Sequence, residues 1–180
     1  MAVVASCRPL NQPTDPLVPK SPKTPDPEAL RLKMASLCAR AEQCSSDIFK
    51  KLRRAGLSSS ESQEIVDYLR QHRFISDQRF AEVFARDKVR FAGWGRYKIR
   101  QALRAKAIPD GLIQTALASV DEADYDEALE KAMLAKARSL DLTDRNDAVK
   151  LFRHLASRGF ESSLTVPRIK KLIKQARELS

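Results

Sequence analysis

Between Arg86 and Lys106 the chain carries eight basic side chains, Arg86, Lys88, Arg90, Arg96, Lys98, Arg100, Arg104 and Lys106, against a single acid, Asp87. Guanidinium groups offer planar forks that match phosphate or carboxylate, and ammonium groups act as compact point charges. The chemistry open to such a run is the binding of a polyanion or an acidic protein surface. Phosphate contacts of this kind give salt-dependent affinity and register but do not read base sequence. Arg96 and Arg100 are four residues apart, as are Arg100 and Arg104, and, earlier in the chain, Lys50 and Arg54. On a helix such pairs share a face and repel. That face is either simply solvated or meets an anionic partner. Trp94, flanked by Gly93 and Gly95, stands among these cations with Phe91. It either wedges between packed elements or touches a partner.

Residues that could do covalent or metal chemistry are not arranged for it. The two histidines, His72 and His154, have no Cys, His or carboxylate partners at metal-ligand spacing, and His154 reads as a surface side chain. The three cysteines, Cys7, Cys38 and Cys44, are odd in number and form no CxxC, so neither a disulfide framework nor a zinc site is expected. Cys38 is expected to face a helix interior. No HExxH, GxSxG or GxxxxGK[ST] pattern occurs. The sequence therefore predicts a binding protein with no catalytic residues, metal or cofactor. No apolar stretch is long enough to span a membrane, and the first residues lack the basic start of a signal peptide, so a cytoplasmic monomer is expected.

The elements that must position the basic residues are helices. Nowhere do apolar and polar residues alternate long enough to argue a strand. Of nine prolines, seven fall between Pro9 and Pro27, which predicts an extended or disordered leader over residues 1–27. A proline-spaced docking segment at Pro13 and Pro16 carries little weight in so proline-rich a tract. Beyond it, Pro27 suits a helix start, Ser45 or Ser46 a second, and the run Ser58 to Glu61 a third, with Ser60 and Glu64 as a loose capping pair. Ser76 caps the next helix, Gly93-Trp94-Gly95 ends or kinks it, and Pro109 fits the start of a short one. Asp144 or Asn146 caps a later helix, and Pro167 is expected to open the last.

One apolar spacing occurs three times. Ile48–Leu52–Leu57, Ile99–Leu103–Ile108 and Leu151–Leu155–Phe160 follow one another at intervals of 51 and 52 residues. Gly56 and Gly159 fall at the same point of the first and third copies, where a left-handed helix cap would form. Ala107 replaces glycine in the second, and a side chain there predicts a different helix ending. Phe80 and Phe84 add apolar positions at helical spacing. The expected fold is all-α: a tandem array of three three-helix repeats, 28–74, 75–121 and 122–180, forming an elongated, curved body.

Three stretches resemble one known family. FISDQRFAEVFARDKVRFAGWGRYKIRQALRAKAI, residues 74–108, is similar to the central signature of the RecX family, regulators of the RecA recombinase. CSSDIFKKLRRAGL, 44–57, and LFRHLASRGF, 151–160, resemble that family's first-repeat and C-terminal segments. The resemblance implies a helical-repeat protein that lies in the groove of the RecA–DNA filament and suppresses strand exchange and ATP hydrolysis, or promotes disassembly. Its partners would be RecA and the nucleoprotein filament, with direct contact to single- or double-stranded DNA also within reach. Asp77, Phe80, Phe84, Gly95, Ile99, Leu103 and Ile108 match the family's central motif and read as architectural. Arg86, Lys88, Arg90, Lys98 and Arg100 are then candidates for touching filament or DNA, joined by Lys50, Arg54, Trp94, Arg96 and Arg104 from the charge pattern. Ile48 and Phe49 depart from the family's usual acidic residue and Leu, and the proline-rich leader is longer than the family requires.

Overall fold

A computed structural model describes residues 25–178, so the leader expected over 1–27 lies almost wholly outside the described residues. Within them the chain forms nine α-helices and no strand: α1 Pro27–Arg40, α2 Ser45–Arg54, α3 Ser59–Gln71, α4 Asp77–Arg90, α5 Arg96–Ala105, α6 Asp110–Ala118, α7 Glu122–Ala137, α8 Arg145–Ser157 and α9 Ser162–Glu178. Side-chain caps fix most of the starts. Asp26, Ser76, Asp121 and Asp144 each accept a backbone N–H of the following turn. At α3 the reciprocal capping box is Ser58 with Glu61. Ser60 and Glu64 make only a side-chain bond of 3.3 Å, because the helix begins one residue before Ser60. Pro167 does not open α9 but lies inside it. The helix starts at Ser162, with the Leu164 and Thr165 N–H groups donating to the Glu161 carbonyl, so Pro167 removes one ladder bond just past the first turn.

The threefold spacing has a single local cause. Leu57 N–H donates to the Leu52 carbonyl at 3.3 Å, Ile108 N–H to Leu103 at 3.1 Å, and Phe160 N–H to Leu155 at 3.2 Å. Each bond spans five residues and closes a Schellman-type helix end, whose left-handed residue is Gly56 (φ 99°), Ala107 (φ 57°) or Gly159 (φ 87°). The motif brings together the last inward residue of the helix and the first apolar residue after it. All nine residues of the three triples are buried. Ala107 thus takes the left-handed conformation that its side chain disfavours. The helix ends as its two counterparts do, because burying Leu103 and Ile108 requires the same turn. Arg73 (φ 59°) does the same after α3, with Phe74 N–H donating to the Leu69 carbonyl.

Packing divides the array unevenly. α1 and α2 pack on α3, α4 and α5 on α6, and α8 on both α7 and α9. Met34, Ile48, Leu52, Leu57, Ile65, Val66, Leu69 and Ile75 form one core. A second core runs without a break through α4–α9, from Ala81 to Ile169, and takes in Cys44 from the loop before α2. α4 also packs on α7 and on α6, so α4 is the spine of this larger body. Phe80 and Phe84 are half-buried against it rather than inside it. Cys38 is likewise half-buried. No extensive packing joins α1–α3 to α7–α9, and the arrangement is elongated.

The two joints differ in kind. Between α1–α3 and α4–α6 the contacts are mainly polar, apart from the buried Cys44. Arg79 Nε reaches Glu42 at 2.9 Å, Lys106 Nζ reaches Asp47 at 2.5 Å, and Ser45 N–H donates to Asp77 at 2.8 Å. Between α4–α6 and α7–α9 two backbones meet. Gly95 N–H donates to the Arg158 carbonyl at 2.8 Å, and Tyr97 N–H to the Gly159 carbonyl at 3.1 Å. A methyl group on Gly95 would sit 2.2 Å from the Gly159 carbonyl carbon, and one on Gly159 would sit 2.4 Å from the Lys98 backbone nitrogen. Both distances lie far inside van der Waals contact. Gly95→Ala is therefore expected to destabilise the chain by about 2–4 kcal/mol. Ala107→Gly should stabilise it by about 0.5–1 kcal/mol through relief of left-handed strain. Urea unfolding followed by far-ultraviolet circular dichroism measures both.

Candidate functional site

Phe80, Phe84 and Lys88 lie four residues apart on α4 and so share one face of it. The Phe80 and Phe84 rings stack with centroids 5.7 Å apart, and Trp94 meets Phe84 edge-on at 6.4 Å. Trp94 is placed by the α4–α5 link, where its N–H donates to the Lys88 carbonyl at 3.0 Å. Three ammonium groups lie over this aromatic row. Lys106 Nζ is 5.4 Å from the Phe80 centroid, Lys88 Nζ is 5.2 Å from Phe84 and 5.1 Å from Trp94, and Lys98 Nζ is 4.7 Å from Trp94. Lys106 is also paired with Asp47, whereas Lys88 and Lys98 have no carboxylate partner among the described residues. Burial alone would raise the Asp47 carboxyl, but the bonds from Lys106 and Cys44 hold it below its ordinary range. Trp94 therefore packs against the larger core and also lies beneath two lysines.

The arginines of the basic run are placed differently. Arg90 binds Asp124 on α7 at 2.7 Å, and Arg104 binds Asp110 at 2.8 Å, a bond that holds the Asp110 carboxyl low. Arg96 reaches Glu122 at 2.5 Å and Glu161 at 3.4 Å. The row Arg96–Arg100–Arg104 is thus not left to repel itself, since carboxylates from α6, α7 and the α8–α9 loop answer its two ends. Arg86 and Arg100 on α4 and α5, and Lys50 and Arg54 on α2, have no ion-pair partner among the described residues. The ten candidates consequently fall into a Lys88–Trp94–Lys98 strip, three paired arginines, and four cations without an ion-pair partner among the described residues.

Two groupings carried little signal in the sequence. The first centres on Tyr125, fully buried, whose hydroxyl donates to Glu161 at 2.5 Å and accepts the Arg96 N–H at 3.0 Å. The Arg96 guanidinium lies 4.0 Å over the Tyr125 ring. Burial and the Glu161 bond push the Tyr125 hydroxyl far above its ordinary value, so it stays a proton donor. A long separation hides this clamp, since Tyr125 and Glu161 are 36 residues apart. The second is at the far side of the link. Arg158 Nη1 donates to the Ala92 and Gly93 carbonyls at 3.1 and 3.4 Å, and its Nε donates to His154 Nε2 at 3.2 Å. His154 is half-buried rather than a free surface side chain. Burial, then Arg158 and Lys136, lowers its pKa below the ordinary 6.5. Phe91 beside it is 84% exposed, and Tyr97 is 54% exposed.

No group of three or more His, Cys, Asp or Glu side chains among the described residues is placed to hold a metal ion, and no described helix is long and apolar enough to cross a membrane. The architecture and this surface define a class: an elongated α-helical protein that presents lysines over aromatic rings beside arginines tied into its frame. A model of one family, described as the second three-helix domain of RecX, matches residues 76–117, the span from the α4 cap to the end of α6. The regulatory protein RecX of Prosthecochloris aestuarii is 32% identical over 123 residues, which cover 67% of this chain and 78% of that protein. The chain belongs to the RecX family, a regulator and not an enzyme. RecX of Mycolicibacterium smegmatis is 30% identical over 151 residues, 81% of this chain and 79% of the relative. RecX of Clostridium tetani is 29% identical, and the match spans about half its length, 53%. A crystal structure of regulatory protein RecX superposes with a TM-score of 0.68 at 25% identity, covering 83% of this chain and 71% of that one. RecX from Lactobacillus salivarius, at 20% identity and a TM-score of 0.63, shares the fold.

Removing the Tyr125 hydroxyl strips a partner from both Glu161 and the Arg96 N–H. Tyr125→Phe is expected to lower stability by about 1–3 kcal/mol in urea titrations. His154 adds an acid sensitivity. Its folded-state pKa lies below the unfolded value, so its contribution is present above pH 6.5 and is lost as pH falls through the folded value. Thermal melts of His154→Gln should fall less steeply than wild type on acidification from neutral pH through that window.

Proposed function

We propose that this chain regulates RecA by lying in the helical groove of the RecA–DNA filament, where it restrains strand exchange and ATP hydrolysis or promotes filament disassembly. Family membership supports the regulatory role. The observation that carries the mode of action is the strip in which Lys88 and Lys98 lie over Trp94 with no carboxylate partner among the described residues. Lysines stacked on a ring are held in place before a partner arrives, so less side-chain entropy is lost on binding. Arg86, Arg100, Lys50 and Arg54 extend positive potential along the array and favour a polyanionic partner, either the phosphates of single- or double-stranded DNA or acidic surface on RecA.

The frame suited to such a groove is three tandem three-helix repeats over 28–74, 75–121 and 122–180, curved along their length. Matching helix ends after α2, α5 and α8 support that division. The body acts as a cytoplasmic monomer and needs no cofactor. Arg90, Arg96 and Arg104 serve the frame, and the direct contacts fall to the lysine strip and the unpaired arginines.

The purified chain added to RecA on single-stranded DNA should lower both ATP turnover and strand exchange. No change at several-fold excess over filament sites would overturn the proposal. Exchanging Lys88 and Lys98 together for Glu should weaken filament binding by about tenfold or more, equivalent to about 1.4 kcal/mol, with circular dichroism unchanged. Equal binding to naked DNA with no effect on RecA would instead mark a general nucleic-acid binder.

A further inference from the structure

A groove of about 500 Å³ separates the end of α4 from α7 and α8, and it shares no residue with the Lys88–Trp94–Lys98 strip. Its volume is in the range of sites that enclose a small ligand group. Ala128, Ala132 and Ala135 of α7 line it with short side chains. The walls are cationic. At one end, Arg90 and Lys131 are matched by Asp124 and Glu127. At the other, Lys136 has no carboxylate within ion-pair distance among the described residues, though its charge helps hold the Asp147 carboxyl low, and Arg158 uses Nε and Nη1 within the fold, leaving Nη2 without a hydrogen bond among them.

His154 completes that end. Because its Nε2 accepts from Arg158, the neutral ring carries its proton on Nδ1 and keeps a donor for an incoming anion. The charged groups lining the groove at this end are positive, Arg158 from its own helix and Lys136 from α7, while Arg90 and Lys131 lie at the far end, engaged by Asp124 and Glu127. At the rim stands Phe91, the most exposed large apolar side chain among the described residues at 84%. An exposed ring beside a cationic groove is the pairing that single-stranded nucleic acid uses, with the backbone in the basic groove and a base on the aromatic face. A duplex keeps its bases stacked and has none to place on Phe91. An acidic peptide would use the cations but gain nothing from the ring.

We propose that the groove between the α4 end and α7–α8 binds a single-stranded nucleic acid, with one backbone phosphate held by Lys136, His154 and Arg158 and the adjoining base stacked on Phe91. This deepens the filament reading, on which its biological setting rests, by adding a nucleic-acid contact apart from the lysine strip.

Fluorescence anisotropy with the full chain and a labelled oligothymidine tests it. Phe91→Ala should weaken binding by about five- to a hundredfold, with the circular dichroism of the wild type. An abasic strand of equal length should bind wild type about as weakly as oligothymidine binds the variant, and should not respond to the substitution. Lys136→Gln should reduce the magnitude of the log–log salt slope by about 0.7, one phosphate contact on a single strand. The wild-type His154 pKa, followed by NMR, should rise on oligothymidine binding. Absence of binding, an unchanged affinity in Phe91→Ala, or an unchanged slope in Lys136→Gln overturns the assignment. So does a polyglutamate peptide that binds as tightly as the strand and loses affinity equally in Lys136→Gln, which would make the groove a peptide site. Because no RecA is present, the outcome is separable from the filament assay. Intact oligothymidine binding with no effect on RecA removes the filament reading alone, and the reverse result removes the groove alone.

Discussion

Two glycines without side chains between them hold the larger body of this protein together. Gly95 and Gly159 let the link before α5 and the turn after α8 approach backbone to backbone. α5 has no side-chain cap, and the N–H groups of Gly95 and Tyr97 are instead taken by the carbonyls of Arg158 and Gly159. The C-terminal end of one helix thus serves the N-terminal end of another, with opposite partial charges facing each other. Arg96, the first residue of α5, is aimed by this contact onto the Tyr125 ring and toward Glu161. The Tyr125 clamp, the continuous core from α4 to α9 and the placing of Arg158 under the α4–α5 link all follow from it.

The charge of the chain is better understood as two populations than as one field. Arginines near the link are drawn into the frame, where a planar fork can serve two acceptors at once: Arg96 on two carboxylates, Arg158 on two carbonyls and a histidine. The lysines at 88 and 98 pair with no carboxylate among the described residues and rest on rings. An excess of +10 over the whole chain therefore understates how unevenly positive charge is available to a partner.

Much of the architecture was legible because one local motif writes itself into sequence. A Schellman end requires an inward residue, a left-handed residue and an apolar residue at fixed offsets, and Leu52–Gly56–Leu57 and Leu155–Gly159–Phe160 display all three. Ala107 hid the middle copy's ending, since tertiary burial of Ile108 overrides the residue's own preference. Pro167 misled for a related reason: a proline just beyond the first turn looks, in sequence, like a proline at its start. The site was less legible. Like-charged neighbours four apart are visible along a helix, but Glu122, Glu161 and Asp124, which decide whether those charges are free, come from 26 to 65 residues away. Which aromatic is exposed was equally hidden, because Phe84 and Phe91 have the same composition and opposite surroundings.

The separation of the hydrophobic interior into two bodies has a consequence for how the chain opens. Six helices share one continuous interior, and three have their own, joined to the rest by ion pairs, the Ser45–Asp77 hydrogen bond and the buried Cys44. Exposed or half-exposed ion pairs contribute little cooperativity compared with shared apolar contact. The α1–α3 body accordingly shares least apolar contact with the rest and is expected to open before α4–α9 does.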